Sequence, residues 1–246
     1  MYYFASDVHL GAGGSQSARL AEARFTAWLE MVSRDAKAVF LLGDIFDFWF
    51  EYGRVVPKGC VRALGKLAEL TDRGVRVVFF TGNHDMWVGD YLQRECGVEL
   101  HTKPVFENIA GRRLFLAHGD NMKIGGQPML KFMNAVFRSR VLRFLFSWLV
   151  HPDLAVRFGR WWSGRSRKSH GGMEIRPEML DPLTEYAAEL GRDKGVECCI
   201  FGHFHTADDR MAGDTRVLFL GDWSSVPVYA SMNDEGEIKL EKFDSL

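Results

Sequence analysis

Five short motifs hold most of the side chains that could do chemistry in this chain. They are Ser6-Asp7-Val8-His9, Gly43-Asp44, Gly82-Asn83-His84-Asp85, His118-Gly119-Asp120 and Gly202-His203-Phe204-His205. Five of the eight histidines lie in them, next to carboxylate and amide side chains. Imidazole combined with carboxylate is a typical ligand set for transition metals such as Mn, Fe or Zn. The motifs therefore predict a metal site.

The number of ligand groups indicates two ions rather than one. The candidate ligands are Asp7, His9, Asp44, Asn83, His118, His203 and His205. Seven groups are too many for one four-coordinate zinc ion, but they suit two adjacent ions that share a carboxylate. Asp44 is the candidate for the shared ligand, because its two oxygens can bind two cations. Single motifs such as Gly-Asp are common in turns, so the hypothesis depends on all five together.

Each motif follows a short apolar run that predicts a buried strand ending in a loop. The predicted strands are Tyr2–Ala5, Ala38–Leu42, Val75–Thr81, Leu114–Ala117 and Glu197–Phe201. Loops beyond the carboxyl ends of strands are where ligands bind in α/β sheets. Five strand ends would thus deliver the candidate ligands to one place.

The remaining elements complete an α/β chain, which we interpret as one domain over residues 1–246 with an insert. Helices are predicted over residues 16–34, 57–72 and 177–194, the second starting at Pro57. Residues 105–109 and 113–117 read as a hairpin around Gly111. Residues 217–220, 226–229 and 238–242 are predicted to be closing antiparallel strands.

The insert, about residues 122–172, concentrates positive charge. Lys123 to Lys168 carries a net charge of +9, and the rest of the chain carries −10. Helices are predicted over residues 128–150 and from Pro152 onward. One interpretation is a helical hairpin with a solvated basic face. Another is a cap that holds an acyl chain and meets anionic headgroups. Nucleic-acid binding is disfavoured because so much of the segment is bulky and apolar. The candidate substrate-binding residues are Phe137, Trp148, Arg157, Arg160, Arg165 and Lys168.

Other sequence features indicate the compartment. The four cysteines form no Cys-x-x-Cys pair and are expected to be small core residues in a reducing environment. No signal peptide or run of about 18 apolar residues is evident. We expect a cytoplasmic protein with no obligate protein partner.

The order of the motifs resembles that of the calcineurin-like metallophosphoesterase family over roughly the whole chain. The sequence also looks like the UDP-2,3-diacylglucosamine hydrolases of lipid A biosynthesis. The shared features include Gly43-Asp44-Ile45-Phe46-Asp47-Phe48-Trp49, His118-Gly119-Asp120 with a long basic aromatic insert after it, and Leu220-Gly221-Asp222-Trp223. The resemblance implies a four-layer α/β/β/α sandwich of two mixed sheets with a helical cap.

The resemblance also implies roles for the site residues. Asp7, His9, Asp44 and His205 would hold one divalent ion, and Asp44, Asn83, His118 and His203 the other. Mn is the first choice, with Fe, Zn or Mg as alternatives. His84 would stabilise the transition state or protonate the leaving oxygen. Asp85 would either orient His84 or cap the following helix.

The implied substrate is a nucleotide-sugar lipid at the inner-membrane surface, split to UMP and 2,3-diacylglucosamine 1-phosphate. Two departures bear on this assignment. The better-known hydrolases have Arg at the position of His84, and they carry acidic residues where this chain has Gly125-Gly126. A generic phosphodiesterase or nucleotide pyrophosphatase is the alternative. A non-catalytic scaffold is a minor alternative, because no ligand is missing.

Overall fold

The computed structural model describes residues 1–120, 122, 136–137, 139–170, 177–224 and 226–244, without the side chains of residues 140 and 165–170. The strands are β1 (Tyr2–Ala5), β2 (Ala38–Leu42), β3 (Arg76–Phe80), β4 (Glu99–His101), β5 (Val105–Ile109), β6 (Arg112–Ala117), β7 (Cys198–Phe201), β8 (Asp208–Ala212), β9 (Thr215–Phe219), β10 (Val228–Met232) and β11 (Ile238–Lys242). The helices are α1 (Ser15–Val32), α2 (Val61–Asp72), α3 (Tyr91–Cys96), α4 (Arg140–Leu149), α5 (Pro152–His170) and α6 (Asp181–Lys194), the last preceded by a 3₁₀ turn at Pro177–Leu180.

The strands form two mixed sheets. The first has the order β11-β10-β1-β2-β3-β4, and the second has the order β5-β6-β7-β9-β8. Strands β1 to β4 are parallel, and β10 and β11 add to them as an antiparallel edge. In the second sheet β6, β7 and β9 are parallel. The carboxyl ends of these parallel strands carry the five motifs.

Three apolar clusters separate four layers, so the predicted sandwich is confirmed. Phe25 and Trp28 of α1 pack with Phe79 on the outer face of the first sheet. Phe4 and Phe40 stack between the two sheets with ring centroids 4.9 Å apart, and both are fully buried. Helix α6 covers the outer face of the second sheet. The two sheets therefore share one internal apolar layer, which fixes their edges relative to each other.

The predicted start of the second helix at Pro57 is wrong, because α2 begins at Val61. Cys60 precedes it in a left-handed conformation with φ 55°. The buried Glu22 of α1 supplies the missing cap, accepting hydrogen bonds from the backbone N–H groups of Arg62 (2.8 Å) and Ala63 (3.4 Å). Because this cap comes from another helix, the local sequence does not show it.

The pairing of the closing strands also differs from the expectation. Residues 217–220 were expected in an antiparallel strand, but β9 pairs with β7 in parallel. The chain passes first through β8, which was not predicted and pairs antiparallel with β9. Strand β8 lies at the sheet edge and begins Asp208-Asp209-Arg210, so it lacks the apolar run of a central strand. The hairpin of β5 and β6 is confirmed.

Helices α4 and α5 belong to the predicted insert. Aromatic side chains from the rest of the chain donate hydrogen bonds to carbonyl groups of the insert next to these helices. The Tyr52 hydroxyl donates to the carbonyl of Val150 (3.0 Å), and the Trp87 indole N–H donates to the carbonyl of Phe137 (2.7 Å). Helix α5 begins at Pro152, as predicted. Of the helix predicted over residues 128–150, the described part contains α4, which begins only at Arg140 after an extended Ser139. Residues 128–135 and 138, together with Gly125-Gly126, lie outside the described residues. The division into a domain and an insert stays a prediction.

No helix in the described part of the chain is both long enough and apolar enough to cross a membrane.

Candidate metal centre

The loops after β1, β2, β6 and β7 are tied together by backbone hydrogen bonds. Asp7 N–H donates to Gly43 C=O (3.1 Å), and His9 N–H donates to Asp44 C=O (3.0 Å). The His118 Nδ1 atom of the second sheet lies 2.8 Å from the Leu42 carbonyl of the first. The edges of the two sheets thus meet where the motifs are.

The first predicted ligand set is brought together. Donor atoms of Asp7, His9, Asp44 and His205 all lie within 4.8 Å of one another. The Nε2 atoms of His9 and His205 are 3.2 Å apart, and His205 Nε2 lies 3.4 Å from Asp7 Oδ1. These atoms converge on a common point, as ligands of one ion would.

The second predicted set lies beside the first and shares Asp44. Donor atoms of Asp44, His118 and His203 also lie within 4.8 Å of one another. His118 Nε2 is 3.4 Å from Asp44 Oδ2 and 3.2 Å from Asn83 Oδ1. Asp44 is the only residue common to both sets, which is the position predicted for a bridging carboxylate.

Five of the seven candidate ligands have a left-handed backbone. They are Asp7 (φ 54°), His9 (φ 51°), Asp44 (φ 54°), His203 (φ 74°) and His205 (φ 55°). This conformation is uncommon outside glycine and is held only where the surrounding structure enforces it. Strain of about 1–3 kcal/mol per residue is typical of such positions and concentrates at functional sites. This strain lowers the stability of the folded protein, and the strained backbone directs the ligand side chains toward the site.

Glycine is required where the loops cross. A Cβ atom at Gly82 would overlap the Asp44 side chain and lie 2.6 Å from the Asp44 backbone nitrogen. A Cβ atom at Gly43, which has φ 86°, would lie 2.7 Å from both Gly82 N and His118 Nδ1. The Gly-Asp and Gly-Asn-His-Asp motifs therefore need their glycines for close approach.

Asp85 neither orients His84 nor caps a helix. Its fully buried carboxylate accepts hydrogen bonds from the backbone N–H groups of Gly82 (2.7 Å), Asp44 (3.3 Å), Ile45 (2.9 Å) and Phe46 (3.3 Å). The Asp44 carboxylate in turn accepts from the His84 backbone N–H (2.7 Å). Asp85 is a positioning residue that joins the loops after β2 and β3.

Hydrogen bonds outside the ligand sets orient several of the ligands. His118 Nδ1–H donates to the Leu42 carbonyl, which leaves Nε2 for an ion. One oxygen of Asp7 accepts from Ser6 Oγ and from His203 N–H (2.9 Å). Asp222 lies 3.7 Å from His205 Nδ1. Such partners are typical of metal-bound histidines and carboxylates.

The electrostatics of the site favour added positive charge. Burial opposes a charge on His118, but Asp44 raises the pKa of His118 well above its usual value. Burial likewise opposes a charge on His205, but Asp222 and Asp7 raise the pKa of His205 to about 10. Burial lowers the pKa of His9 to about 3 and that of His203 to about 4. The carboxylates thus attract positive charge at His118 and His205, while burial keeps His9 and His203 neutral.

The donor set fits divalent ions. Asp7 Oδ1 and His9 Nδ1 are buried and make no hydrogen bond with the described residues, although a buried polar atom normally has a partner. Asp7 Oδ1 belongs to the first ligand set. Nitrogen and oxygen donors without thiolate suit Mn, Fe or Zn. A cation at the first set would satisfy Asp7 Oδ1, which has no hydrogen-bond partner among the described residues.

His84 lies at the edge of both sets without belonging to either. Its Nε2 atom is 3.9 Å from Asp44 Oδ2, and its ring stands edge-on to that of His9 with centroids 4.8 Å apart. Donor atoms of His84 also lie within 4.8 Å of those of His9 and Asp47, so the role of His84 in contacting the substrate rather than an ion stays a prediction.

The predicted substrate-binding residues are spread over the insert. Phe137 packs against Trp87 and Trp162, with ring centroids 5.7 and 5.9 Å away. Trp148 is 78% exposed, and Arg157 and Arg160 are also exposed. The side chains of Arg165 and Lys168 lie outside the description. None of the described four contacts a candidate ligand, so their roles stay predictions.

Comparisons with known proteins place this geometry in a family. The profile of the calcineurin-like phosphoesterases matches residues 2–207. The chain belongs to that family. It is accordingly a metal-dependent phosphoester hydrolase, which excludes the non-catalytic scaffold. A solved structure described as an archaeal phosphodiesterase has the same fold, with a TM-score of 0.50 and 11% identity over 98% of this chain and 99% of that one.

Similar curated relatives carry a more specific name. A UDP-2,3-diacylglucosamine hydrolase of Porphyromonas gingivalis is 36% identical over 241 residues, covering 93% of this chain and 92% of the relative. A protein of the same name from Haemophilus ducreyi is 28% identical, covering 90% and 91%.

The sequence did not predict the positions of three further residues at the site of this phosphoesterase. Asp222 follows an apolar strand and a glycine, so the signal that identified Asp44 could have identified it. Asp47 lies close to the site, with Oδ1 3.9 Å from His9 Nδ1. Ser163 contacts His84 from the insert, and no spacing in the sequence links two residues so far apart.

Proposed function

We propose that this phosphoesterase hydrolyses the diphosphate of UDP-2,3-diacylglucosamine to UMP and 2,3-diacylglucosamine 1-phosphate. The observation that carries the proposal is the 36% identity with a relative of that name over 93% of the chain. The unmatched 7% is shorter than the insert predicted over residues 122–172. The likeness therefore extends beyond the metal motifs, which many phosphoesterases share, into the segment expected to select the substrate.

The roles of the residues follow from their positions. Two divalent ions, for which we propose Mn, would hold the phosphoryl group and activate a water molecule. Asp7, His9 and His205 would bind one ion, Asn83, His118 and His203 the other, and Asp44 both. His84 directs Nε2 toward the same region, where a proton on that atom could be given to the leaving oxygen. Asp85 keeps Asp44 and His84 at fixed separation through their loops.

A two-part substrate needs space on more than one side of the centre. A cavity of about 320 Å³ begins at Asp7, His9 and His205 and extends along α1 to Leu20 and Arg24. Its size suits a nucleoside, and Arg24 supplies a positive charge within reach of a phosphate. We assign the nucleotide half of the substrate to this cavity. The lipid half would then extend toward the insert.

The insert is proposed to bind the acyl chains and the membrane surface. Helices α4 and α5 expose an unusual number of large apolar side chains, including Val141, Phe144, Trp148, Leu154 and Trp161, each more than half exposed. Arg143, Arg157 and Arg160 lie on the same helices. An exposed apolar surface of this kind marks an interaction site, and added positive charge favours anionic lipid. We therefore propose peripheral attachment to the cytoplasmic face of the inner membrane.

One observation favours a broader specificity. This chain has His84 where the similar lipid A hydrolases are expected to have Arg. Histidine is the residue that general phosphoesterases have at this position. A nucleotide pyrophosphatase or phosphodiesterase acting on another substrate is therefore the second candidate function.

The deciding experiment compares two substrates. Purified protein with Mn would be given UDP-2,3-diacylglucosamine in detergent micelles, with UMP release measured, and bis(p-nitrophenyl) phosphate in parallel. We expect kcat/KM for the lipid to exceed that for the aryl diester by orders of magnitude. Comparable values, or UMP release from UDP-N-acetylglucosamine at the same rate, would contradict the lipid assignment and leave a general phosphoesterase.

A further inference from the structure

Helix α5 of the insert reaches His84 through one hydroxyl group. Ser163 is only 3% exposed, and its Oγ lies 2.8 Å from His84 Nδ1. The same hydroxyl donates a hydrogen bond to the carbonyl of Asp47 (2.6 Å). His84 Nδ1 is itself 3.1 Å from that carbonyl oxygen. The three groups form a closed, water-poor triangle next to the candidate metal centre.

The chemistry of this triangle requires a hydrogen on Nδ1 of His84. A serine hydroxyl has one proton, and Ser163 uses it on the Asp47 carbonyl. Its oxygen can then only accept from His84. The Asp47 carbonyl is also an acceptor, so both neighbours of Nδ1 require it to carry a hydrogen. The ring is therefore held through Nδ1–H, and Nε2, the atom proposed to give a proton to the leaving oxygen, faces Asp44 at 3.9 Å.

We propose that Ser163 is a positioning residue for His84: by accepting a hydrogen bond from Nδ1 it fixes the orientation of the ring, with Nε2 on the side of the candidate metal centre. This assignment rests on phosphoester hydrolysis with His84 as the acting group, and it is independent of the lipid substrate. Through Ser163, helix α5 would contribute to the chemical step as well as to substrate binding.

Close packing keeps α5 at the distance that Ser163 needs. Gly159 lies one turn before Ser163, and a Cβ atom there would overlap the ring of Phe48. Ala155, one further turn back, is fully buried. Small residues at these three positions let the helix approach the loop that carries Asp47. A larger residue at 159 would move the helix, and the hydroxyl with it.

The test measures Ser163→Ala on bis(p-nitrophenyl) phosphate with Mn, so that it does not depend on the lipid assignment. We expect kcat to fall about 10- to 100-fold, the usual cost of losing an outer orienting group, with KM and metal content unchanged. In a His84→Ala background the same change should have no further effect. Ser147→Ala is the matched control, because that hydroxyl donates to Phe144 C=O within α4. Additive losses in the double variant, or a change in KM alone, would show that Ser163 acts on the substrate instead.

A second readout needs no turnover. In zinc-loaded protein with ¹⁵N-labelled histidine, the ring resonances of His84 should shift in Ser163→Ala, because the hydrogen bond from Nδ1 to the hydroxyl is lost. Gly159→Ala should have the same spectral and kinetic effects while keeping the hydroxyl. Unchanged His84 resonances in Ser163→Ala would overturn the proposal. If Ser163→Ala does not fold, Gly159→Ala provides the same test.

Discussion

Replacing Trp148 with Gln tests whether α4 inserts into lipid. Trp148 is the most exposed of the large apolar side chains in the described residues, at 78%. A tryptophan can bury up to about 250 Å², so roughly 200 Å² is available here. At about 25 cal/mol per Å² full transfer into lipid would contribute about 5 kcal/mol. Half-depth insertion at the interface would contribute about 2.5 kcal/mol, or about 50- to 100-fold in the partition coefficient.

The assay is co-sedimentation with sucrose-loaded vesicles of phosphatidylglycerol and phosphatidylcholine at two salt concentrations. Met211→Gln is the matched control, since Met211 is 60% exposed on β8, outside the insert. It should bind vesicles as the wild type does. Both variants should keep the wild-type melting temperature, because neither side chain is in the core. Equal partitioning of Trp148→Gln and wild type would refute α4 as the membrane-contacting element.

Three further predictions concern the metal centre. Exhaustive chelation should abolish hydrolysis and Mn should restore it, as measured by turnover of an aryl diester; full activity of metal-free protein would exclude the two-ion mechanism. Asp44→Ala should lose metal from both ligand sets, whereas His84→Ala should keep its metal by elemental analysis and lose about 10²–10⁴-fold in kcat. Equal metal loss in the two variants would make His84 a ligand. Asp85→Asn should place an N–H₂ group against four backbone donors and lower the free energy of unfolding by about 1–3 kcal/mol in urea titrations, along with metal affinity. Unchanged metal affinity would show that the Asp44 loop holds its position without Asp85.

The candidate ligands could be predicted because each follows directly on a strand. A short apolar run closed by glycine locates both a strand end and the polar residue after it, as at Gly43-Asp44 and Gly202-His203. The structure brings all seven predicted ligands into two adjoining groups. Local sequence was sufficient because each ligand follows the end of its strand within one to four residues.

Contacts between distant segments could not be predicted in the same way. Glu22 caps α2 from another helix, and Asp85 binds the loop after β2, about 40 residues away. Ser163 meets His84 across 79 residues. Each of these is a common polar residue with no local pattern, and its partner is decided by packing. The parallel pairing of β9 was unforeseen for the same reason, since a charged edge strand intervenes.

The left-handed backbone at five ligands has a consequence for how the enzyme acquires its ions. The ligand loops are held by backbone hydrogen bonds, by Asp85 and by close-packed glycines, all of which are contacts within the protein. Metal uptake is then separate from folding, unlike in a zinc finger, where the ion organises the chain. A preformed site of imidazole and carboxylate ligands discriminates little among neighbouring metals of the first transition series. Which ion it carries in the cell would then follow the intracellular supply of each metal, and could change with growth conditions without any change in the protein.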